Sequence, residues 1–247
     1  MRRSDSPPSI PNGRRVYAIG DVHGRLDLLD ALICRIADDN AGRGSADVEV
    51  VMLGDLIDRG PDSAGVVARL MAPPEWARFI VLQGNHEAAM LATLDGDRDM
   101  CRLWLRNGGD TALASWGVSG ETIKDATIGE LIDAARAAIP SNARSFLART
   151  RLSHVAGDYY FVHAGVRPGV ALDRQVAADQ MWIREAFLDS RANHGKVVVH
   201  GHSVCTEIEE RPNRIGLDTG AYRTGRLTAL GLEGSERWSL QTEPVGA

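Results

Sequence analysis

Five short apolar runs in this chain are each followed within a few residues by Gly together with Asp, Asn or His. This repeated arrangement limits the possible folds more than any other feature. Short apolar runs bounded by turn residues are typical of buried strands. Apolar residues at helical spacing lie between the first and second runs and between the second and third. The sequence therefore predicts alternating strands and helices, and the strands are residues 15–19, 48–53, 79–82, 159–162 and 197–199.

Two further segments complete the predicted architecture. Residues 87–151 carry apolar stripes at helical spacing, broken at Gly108-Gly109 and at Pro140, and this pattern predicts a helical insertion that caps the site. The tail, residues 206–241, contains short β-like runs, which we expect to form a second sheet. The prediction is a single α/β domain over residues 14–247, preceded by a flexible leader over residues 1–13.

Composition excludes several classes of protein. The net charge of −5 gives no general attraction to nucleic acid or to an anionic membrane, although a local basic pocket remains compatible with it. No window approaches the ~20 consecutive apolar residues of a membrane span, and residues 1–13 lack the apolar core of a secretory signal. The three cysteines are widely spaced and suggest neither a disulfide framework nor a zinc finger. We therefore expect a cytoplasmic protein, most simply a monomer.

The residues that follow the first two runs have the chemistry of metal ligands. Asp21 and His23 stand two apart, a spacing that places both side chains on one side of an extended strand end. Asp55 follows the second run, and the two oxygens of its carboxylate can bridge two ions. Asp21 and His23 are therefore predicted to bind one metal ion, with Asp55 as a ligand shared with a second.

The later runs supply the remaining ligands. Asn85, His163 and His202 offer an amide oxygen and two imidazoles, a mixed set that suits Mn, Fe or Zn better than Ca. A pair of ions ~3.5–4 Å apart can lower the pKa of a shared water toward ~7 and stabilise phosphoryl oxygens. The sequence therefore predicts a dinuclear centre, with Mn as the first choice, in which a bridging hydroxide attacks a phosphate ester.

Three further residues are predicted to act on the substrate. Departure of an alkoxide requires a proton, and His86 is the predicted general acid, with Asp58 orienting its imidazole. Arg59 is predicted to hold phosphate oxygens through a bidentate fork. Arg184 is a second possible phosphate ligand, although it could equally lie solvated on a helix that packs on the core through Met181–Phe187.

The motifs GDVHG, GDLIDRGPDS, GNHE, VHAG and GHS, in this order, resemble the signature series of the calcineurin-like metallophosphoesterases. The resemblance covers roughly residues 16–203 and implies a β-sandwich of two mixed sheets flanked by helices, with a helical insertion. It implies that the first metal is bound by Asp21, His23 and Asp55, and the second by Asp55, Asn85, His163 and His202. It also implies that His86 and Asp58 form the acid pair and that Arg59 holds phosphate.

The combination of GDxxDRG with GNHE resembles the phosphoprotein phosphatase branch more narrowly. Trp182-x-Arg184 and the WLRNGGD stretch are similar to small bacterial and phage members of that branch. This resemblance implies a serine/threonine protein phosphatase, with dual specificity possible, that acts on a phosphorylated protein or a small phosphoester. Val204 stands where many members of the superfamily carry a second histidine, so we expect water to complete the first metal site.

Other interpretations remain open at this point. Each motif taken alone could be an ordinary turn, with Asp62 and Ser63 capping a helix, but the agreement of five strand ends favours a site. A bis(5'-nucleosyl)-tetraphosphatase that hydrolyses diadenosine tetraphosphate would use the same metal ligands. A non-catalytic binding module is a third possibility. His200 is predicted to be a strand or supporting residue, and Cys205 a small buried side chain.

Overall fold

Ten strands form two five-stranded sheets in the computed structural model, which describes residues 6–243. The strands are β1 (Arg14–Ile19), β2 (Asp47–Met52), β3 (Arg78–Val81), β4 (Ser153–Ala156), β5 (Tyr159–Val162), β6 (Val197–His200), β7 (Glu209–Arg211), β8 (Arg214–Gly216), β9 (Thr228–Glu233) and β10 (Glu236–Gln241). Sheet A has the order β10-β9-β1-β2-β3, with β1, β2 and β3 parallel and β9 antiparallel to β1 and to β10. Sheet B has the order β4-β5-β6-β8-β7, with β5, β6 and β8 parallel and β4 and β7 antiparallel at its edges.

Alternation along the strands builds two apolar layers. On β1, Val16 and Ala18 belong to the core between the two sheets, whereas Tyr17 and Ile19 belong to the core beneath the helices. Successive side chains of a strand point to opposite faces, so a strand that is apolar throughout is buried on both sides. The continuous apolar runs predicted as strands therefore lie in the middle of the molecule.

Helices cover the outer faces of the sheets. The helices are α1 (Leu26–Ala41), α2 (Ser63–Met71), α3 (Asn85–Asp95), α4 (Arg98–Trp104), α5 (Asp110–Ser115), α6 (Gly120–Asp125), α7 (Ile128–Ala138), α8 (Ser141–Ala148), α9 (Ala177–Trp182), α10 (Glu185–Leu188) and α11 (Ala221–Thr224), with a kinked turn at Leu105–Gly109 and a 3-10 turn at Leu172–Arg174. The long helix α1 buries one apolar stripe against sheet A, and Asp62 caps α2 by accepting a hydrogen bond from Gly65 N at 2.7 Å. The predicted α/β fold with two mixed sheets flanked by helices is confirmed.

The segment predicted to be a helical insertion consists of α3 to α8. Its apolar residues, among them Trp104, Leu113 and Leu131, join the same core as the helices that cover sheet A. The segment also contacts Asp58 and Arg59 through Trp104 and Gly108. It is therefore an integral layer of the fold that reaches the predicted site from one side.

The predicted second sheet in the tail is wrong as stated. Strands β7 and β8 join β4, β5 and β6 in sheet B, whereas β9 and β10 extend sheet A beside β1. The apolar pattern identifies short strands, but it does not say with which strand each one pairs. The tail therefore completes both sheets and forms neither by itself.

The predicted leader falls partly outside the described residues. Within residues 6–13, Ile10 is 1% exposed, its N–H donates to Gly234 O, and Ser9 N donates to Asp158 Oδ2. Ile10 fills part of the core between the sheets, so the packed part of the chain begins before Arg14. Within residues 6–243, no helix has the length and apolar character needed to cross a bilayer.

Candidate active site

Loops that follow β1, β2, β3, β5 and β6 meet in one buried cluster. It contains all six residues predicted as metal ligands, none of them more than 7% exposed: Asp21, His23, Asp55, Asn85, His163 and His202. The carboxyl ends of neighbouring parallel strands lie at the same edge of a sheet, which is why residues far apart in sequence converge here. Sheet A supplies the first four through β1 to β3, and sheet B supplies the two histidines through β5 and β6.

Asp55 lies at the centre of the cluster. Its Oδ2 is 3.4 Å from Nε2 of His163, 3.7 Å from Nε2 of His23 and 3.8 Å from Nε2 of His86. Burial by itself would raise the pKa of Asp55, but the imidazoles, that of His163 most strongly, hold its pKa below the ordinary value. Asp55 is therefore a carboxylate with ligands on both sides, the arrangement that a shared ligand requires.

Backbone carbonyls orient two of the imidazoles. His23 Nδ1 donates to Ile57 O at 2.8 Å, and His163 Nδ1 donates to Leu53 O at 2.9 Å. Burial lowers the pKa of His23 to about 3 and also lowers the pKa of His163. Because Nδ1 of each ring donates to a carbonyl, Nε2 is left to point toward Asp55, the orientation seen in histidines that bind metals.

The contacts at His163 and His202 fit bound cations. Asn85 Oδ1 lies 3.0 Å from His163 Nε2. Because the N–H of His163 is at Nδ1 and donates to Leu53 O, Nε2 and Oδ1 are two acceptors that face each other. His202 Nε2 is buried, with no hydrogen-bond partner among residues 6–243. A cation would satisfy all three atoms, and the mixed nitrogen and oxygen donors suit a transition metal. The residues present fit a metal centre.

Two groups of ligand atoms lie close enough to hold separate ions. His23, Asp55 and His86 form one group, and Asp55, His163 and His202 form the other; within each group the ligand atoms lie within 4.8 Å of one another. Asp55 belongs to both groups, which agrees with its predicted shared role. The first group contains His86, which the sequence predicted as an acid, and does not contain Asp21.

Asp21 lies against the loop that carries His202. Both of its carboxylate oxygens accept from His202 N, at 3.0 and 3.2 Å. Burial, followed by the charges of Asp218 and Asp55, raises the pKa of Asp21 well above its ordinary value. The expectation that Asp21 and His23 lie on one side of an extended strand end is wrong, because His23 has φ 46° and lies in a turn after β1.

Strained backbone is concentrated in this cluster. Among residues 6–243, the non-glycine residues with positive φ are His23, Asp55, Asp58, Arg59 and His202, all of them predicted site residues. Such conformations cost about 1–3 kcal/mol each and persist only where surrounding contacts enforce them. The fold therefore holds these side chains in orientations that an isolated turn would not adopt.

His86 and Asp58 form a buried pair beside the cluster. His86 Nδ1 lies 2.5 Å from Asp58 Oδ2, and both side chains are at most 3% exposed. Burial by itself would lower the pKa of His86, but the charge of Asp55 and then the hydrogen bond and charge of Asp58 raise it above its ordinary value. A raised pKa suits an acid better than a metal ligand, and burial raises the pKa of its partner Asp58 as well.

Arg59 lies across the first group of ligands. Its NH1 is 2.9 Å from His23 Nε2 and its NH2 is 3.2 Å from His86 Nε2. The face of Tyr222 lies 4.8 Å from the guanidinium carbon, within the range of a cation–π contact. The guanidinium therefore stands where an anion bound between the histidines would meet it.

Arg184 lies at the surface of the protein, whereas His200 is buried. Arg184 is exposed at the break between α9 and α10, so the single helix considered for Met181–Phe187 is wrong. Its charge contributes to lowering the pKa values of His163 and His202, after the larger effect of their burial. His200 is a buried residue of β6 whose ring meets that of Phe187 edge to face.

Three residues of the site were not identified from the sequence. Glu87 accepts hydrogen bonds from the N–H groups of Gly84, Asp55, Leu56 and Ile57 at 2.8–3.3 Å. Gly84 to Glu87 has the spacing of a capping box, a signal that could have identified it. Asp218 follows an apolar run as the ligands do, so the same pattern applied to the tail would have found it. Tyr222, whose ring meets His23 edge to face, left no signal in the sequence.

The calcineurin-like phosphoesterase family model matches residues 14–227 of the chain. Serine/threonine-protein phosphatase 2 of Escherichia coli is 27% identical over 228 residues, which cover 87% of this chain and 91% of that protein. The symmetrical bis(5'-nucleosyl)-tetraphosphatase of Acidovorax sp. is 29% identical over 177 residues, or 71% of this chain and 52% of that protein. The crystal structure of a candidate diadenosine tetraphosphatase has a TM-score of 0.64 at 22% identity, covering 96% of this chain and 99% of that one. With its matched region spanning the whole cluster from Asp21 to Asp218, the chain belongs to the calcineurin-like phosphoesterase family.

Proposed function

We propose that this phosphoesterase removes phosphate from serine and threonine side chains of proteins, with two divalent cations as cofactors and Mn as the first choice. The observation that carries the proposal is the buried pair of His86 and Asp58 beside the two groups of metal ligands. A serine or threonine alkoxide is a poor leaving group, so its departure depends on a positioned acid. A phosphoanhydride has a better leaving group and needs such an acid less.

The residues divide the work between the cations and the substrate. Asp21, His23 and Asp55 would hold the first cation, and Asp55, Asn85, His163 and His202 the second. When bound, the cations would lower the pKa of a bound water toward ~7 and withdraw charge from the phosphoryl oxygens. The ligand atoms are neutral imidazoles, one amide and two carboxylates, which leaves the loaded centre positive toward an anionic ester.

Arg59 and His86 would act together on the ester. Arg59 NH2 donates to His86 Nε2 at 3.2 Å, so the two groups are adjacent, and an ester oxygen that replaced this contact would accept a hydrogen bond from each. Arg59 would hold phosphoryl oxygens, and His86 would pass its Nε2 proton to the departing oxygen. Asp58 would stabilise the protonated imidazole through the Nδ1 contact. Arg184, whose charge reaches the site, is the second proposed phosphate ligand.

The extent of the matches supports a protein phosphatase over a dinucleotide hydrolase. The match to the Escherichia coli serine/threonine-protein phosphatase covers 91% of that protein, whereas the match to the Acidovorax tetraphosphatase covers 52% of that enzyme. This chain thus has the overall length of the phosphatase. The tetraphosphatase remains the alternative, because the two relatives have similar identity to this chain.

A substrate comparison tests the proposal. The protein loaded with Mn would be assayed on phosphoserine, phosphothreonine and phosphotyrosine peptides, on p-nitrophenyl phosphate and on diadenosine tetraphosphate. We expect kcat/KM on the phosphoserine or phosphothreonine peptide to exceed that on the dinucleotide by ~10-fold or more. Turnover of the phosphotyrosine peptide would indicate dual specificity.

Two results would overturn the proposal. A strong preference for the dinucleotide would identify a tetraphosphatase. Absence of turnover on every substrate, together with less than about one bound ion per chain, would indicate a non-catalytic member of the family. The variant Asp55→Asn serves as the inactive control in each assay.

A further inference from the structure

Trp104 contacts the proposed acid pair directly, and the kinked turn that follows it contacts Arg59. The indole Nε1–H of Trp104 donates to Asp58 Oδ1 at 2.9 Å, and the Trp104 side chain is 1% exposed. The other oxygen of the same carboxylate, Oδ2, faces His86 Nδ1. Because each oxygen has its own partner, the plane of the Asp58 carboxylate is fixed, and with it the direction of the His86 ring.

The same turn contacts Arg59 through its backbone. Arg59 N donates to Gly108 O at 3.2 Å, and Arg59 Nε donates to Asn107 O at 3.4 Å. Thr111 Oγ1 also donates to Gly108 O, at 2.7 Å, which fixes the direction of that carbonyl. Asp58 and Arg59 have φ values of 75° and 67°, and neighbours must enforce such conformations in non-glycine residues.

Gly108 has no room for a side chain. Its φ is 104°, and a Cβ built on it would lie 2.7 Å from Arg59 N and 2.8 Å from Arg59 Cγ. The turn therefore lies directly against the backbone of Arg59.

We propose that Trp104–Gly109, which we call the positioning turn, orients two neighbouring residues of the site, Asp58 and Arg59. Trp104 orients Asp58, and through it the acid His86. Gly108 orients Arg59 for phosphate. The inference rests on the proposed phosphomonoesterase function and assigns separate tasks to two residues of one turn.

Two substitutions separate these tasks. Trp104→Phe keeps an aromatic ring but removes the indole N–H, so His86 loses its alignment while Arg59 keeps its contacts. In the Mn-loaded full chain we expect kcat on phenyl phosphate, a poor leaving group, to fall ~10-fold, with less than ~2-fold change on p-nitrophenyl phosphate. Gly108→Ala displaces Arg59, and we expect the Kd of inorganic phosphate, measured by calorimetry, to rise ~10-fold.

Gly117→Ala is the matched control. Gly117 also has a positive φ, 88°, in the same helical segment, but nothing lies within 4 Å of a Cβ built there. It carries the same backbone penalty without a contact to the site, so kcat and phosphate affinity should remain within ~2-fold of wild type. If Gly108→Ala does not fold, Thr111→Val removes only the hydroxyl that fixes Gly108 O, and should raise the phosphate Kd ~2–3-fold.

A purely structural role for the turn would give a different result. Loss of packing alone would lower kcat on both esters together in Trp104→Phe, and that outcome would overturn the inference. An unchanged phosphate Kd in both Gly108→Ala and Thr111→Val would also overturn it. Phosphate binding needs no turnover. If wild type cleaves neither ester, the proposed function fails while the assignment for Gly108 is still tested.

Discussion

His86 is the residue on which the proposed chemistry depends most. Its Nδ1 contacts the buried carboxylate of Asp58, which can stabilise a positive charge on the ring. His23 and His163, which also lie beside Asp55, each donate Nδ1–H to a backbone carbonyl instead. One ring of the cluster is thus arranged to carry a proton, and the others to bind a cation.

Replacement of His86 tests this division. His86→Asn should lower kcat on a phosphoserine peptide by ~10²–10⁴-fold, because a poor leaving group loses its proton donor, and should change kcat on p-nitrophenyl phosphate much less. Metal content, measured by elemental analysis, should stay that of wild type. Undiminished activity on phosphoserine would show that His86 is not the acid, and loss of one ion would show that it is a ligand.

The cysteines allow a test of the local electrostatics away from catalysis. Burial, then the charges of Asp218 and Glu209, raises the pKa of Cys205 to about 11. Only the thiolate reacts with iodoacetamide, so about one molecule in a thousand is reactive at Cys205 at pH 8. Burial also raises the pKa of Cys101, whereas Cys34 is exposed.

We therefore expect Cys34 to be labelled first in the native protein. In Cys34→Ser, labelling at pH 8, followed by mass spectrometry, should be nearly abolished and should rise ~10-fold per pH unit up to about pH 10, as the thiolate fraction grows. Rapid labelling of Cys205 at pH 8 would contradict the raised pKa and would make its interpretation as an inert small side chain wrong.

At the scale of the elements, the start of α3 joins two strand ends into one unit. Glu87, in the first turn of α3, binds the backbone of the loop after β2, and Gly84 lies so close to Asp55 that a Cβ there would be 2.1 Å from Asp55 Oδ1. The positive φ of Asp55 is thus enforced by a neighbouring helix. Preorganisation of the shared carboxylate is the consequence.

Glu87→Gln tests this coupling. An amide keeps the size of the side chain but turns N–H groups toward buried backbone donors, so the free energy of unfolding should fall by about 2–4 kcal/mol. Metal affinity, measured by calorimetry, should fall with it. Glu130→Gln is the control, because Glu130 is exposed, accepts from the N–H of Thr127 at the start of α7, and should have a much smaller effect. Equal effects of the two would refute the special role of Glu87.

The elements also show what the sequence could predict. Runs that are apolar on both faces have a local signature, so the five ligand-bearing strands and the residues after them were found. The partners of β8 and β9 were not predicted, because the sequence of a strand of three to six residues does not specify which distant strand it pairs with. Tyr222 reaches the site through α11, a four-residue helix with no periodicity to detect.

At the scale of the whole molecule, the site depends on both sheets. Sheet A provides Asp21, His23 and Asp55, and sheet B provides His163 and His202. Asp55 is the residue that contacts ligands from both. Loss of its charge should therefore affect the two proposed cations together.

Metal content measures that dependence. Wild type reconstituted with Mn should hold about two ions per chain, and Asp55→Asn less than one. Asp179→Asn is the control, since Asp179 is another buried carboxylate but pairs with Arg167 outside the groups of ligand atoms. Retention of both ions in Asp55→Asn, measured by elemental analysis after desalting, would refute the shared role.

The pairing of β1 with β9 has a consequence for how the protein is made. One edge of β1 pairs with β2, which follows it closely in the chain. The other edge pairs with Thr228–Glu233, which is synthesised much later. Until then the nascent chain carries an apolar strand with free N–H and C=O groups, the kind of edge that recruits other chains. Ribosomal products that stop short of residue 228 should therefore aggregate, because the strand that leads into Asp21 and His23 has both partners only once Thr228–Glu233 has been made.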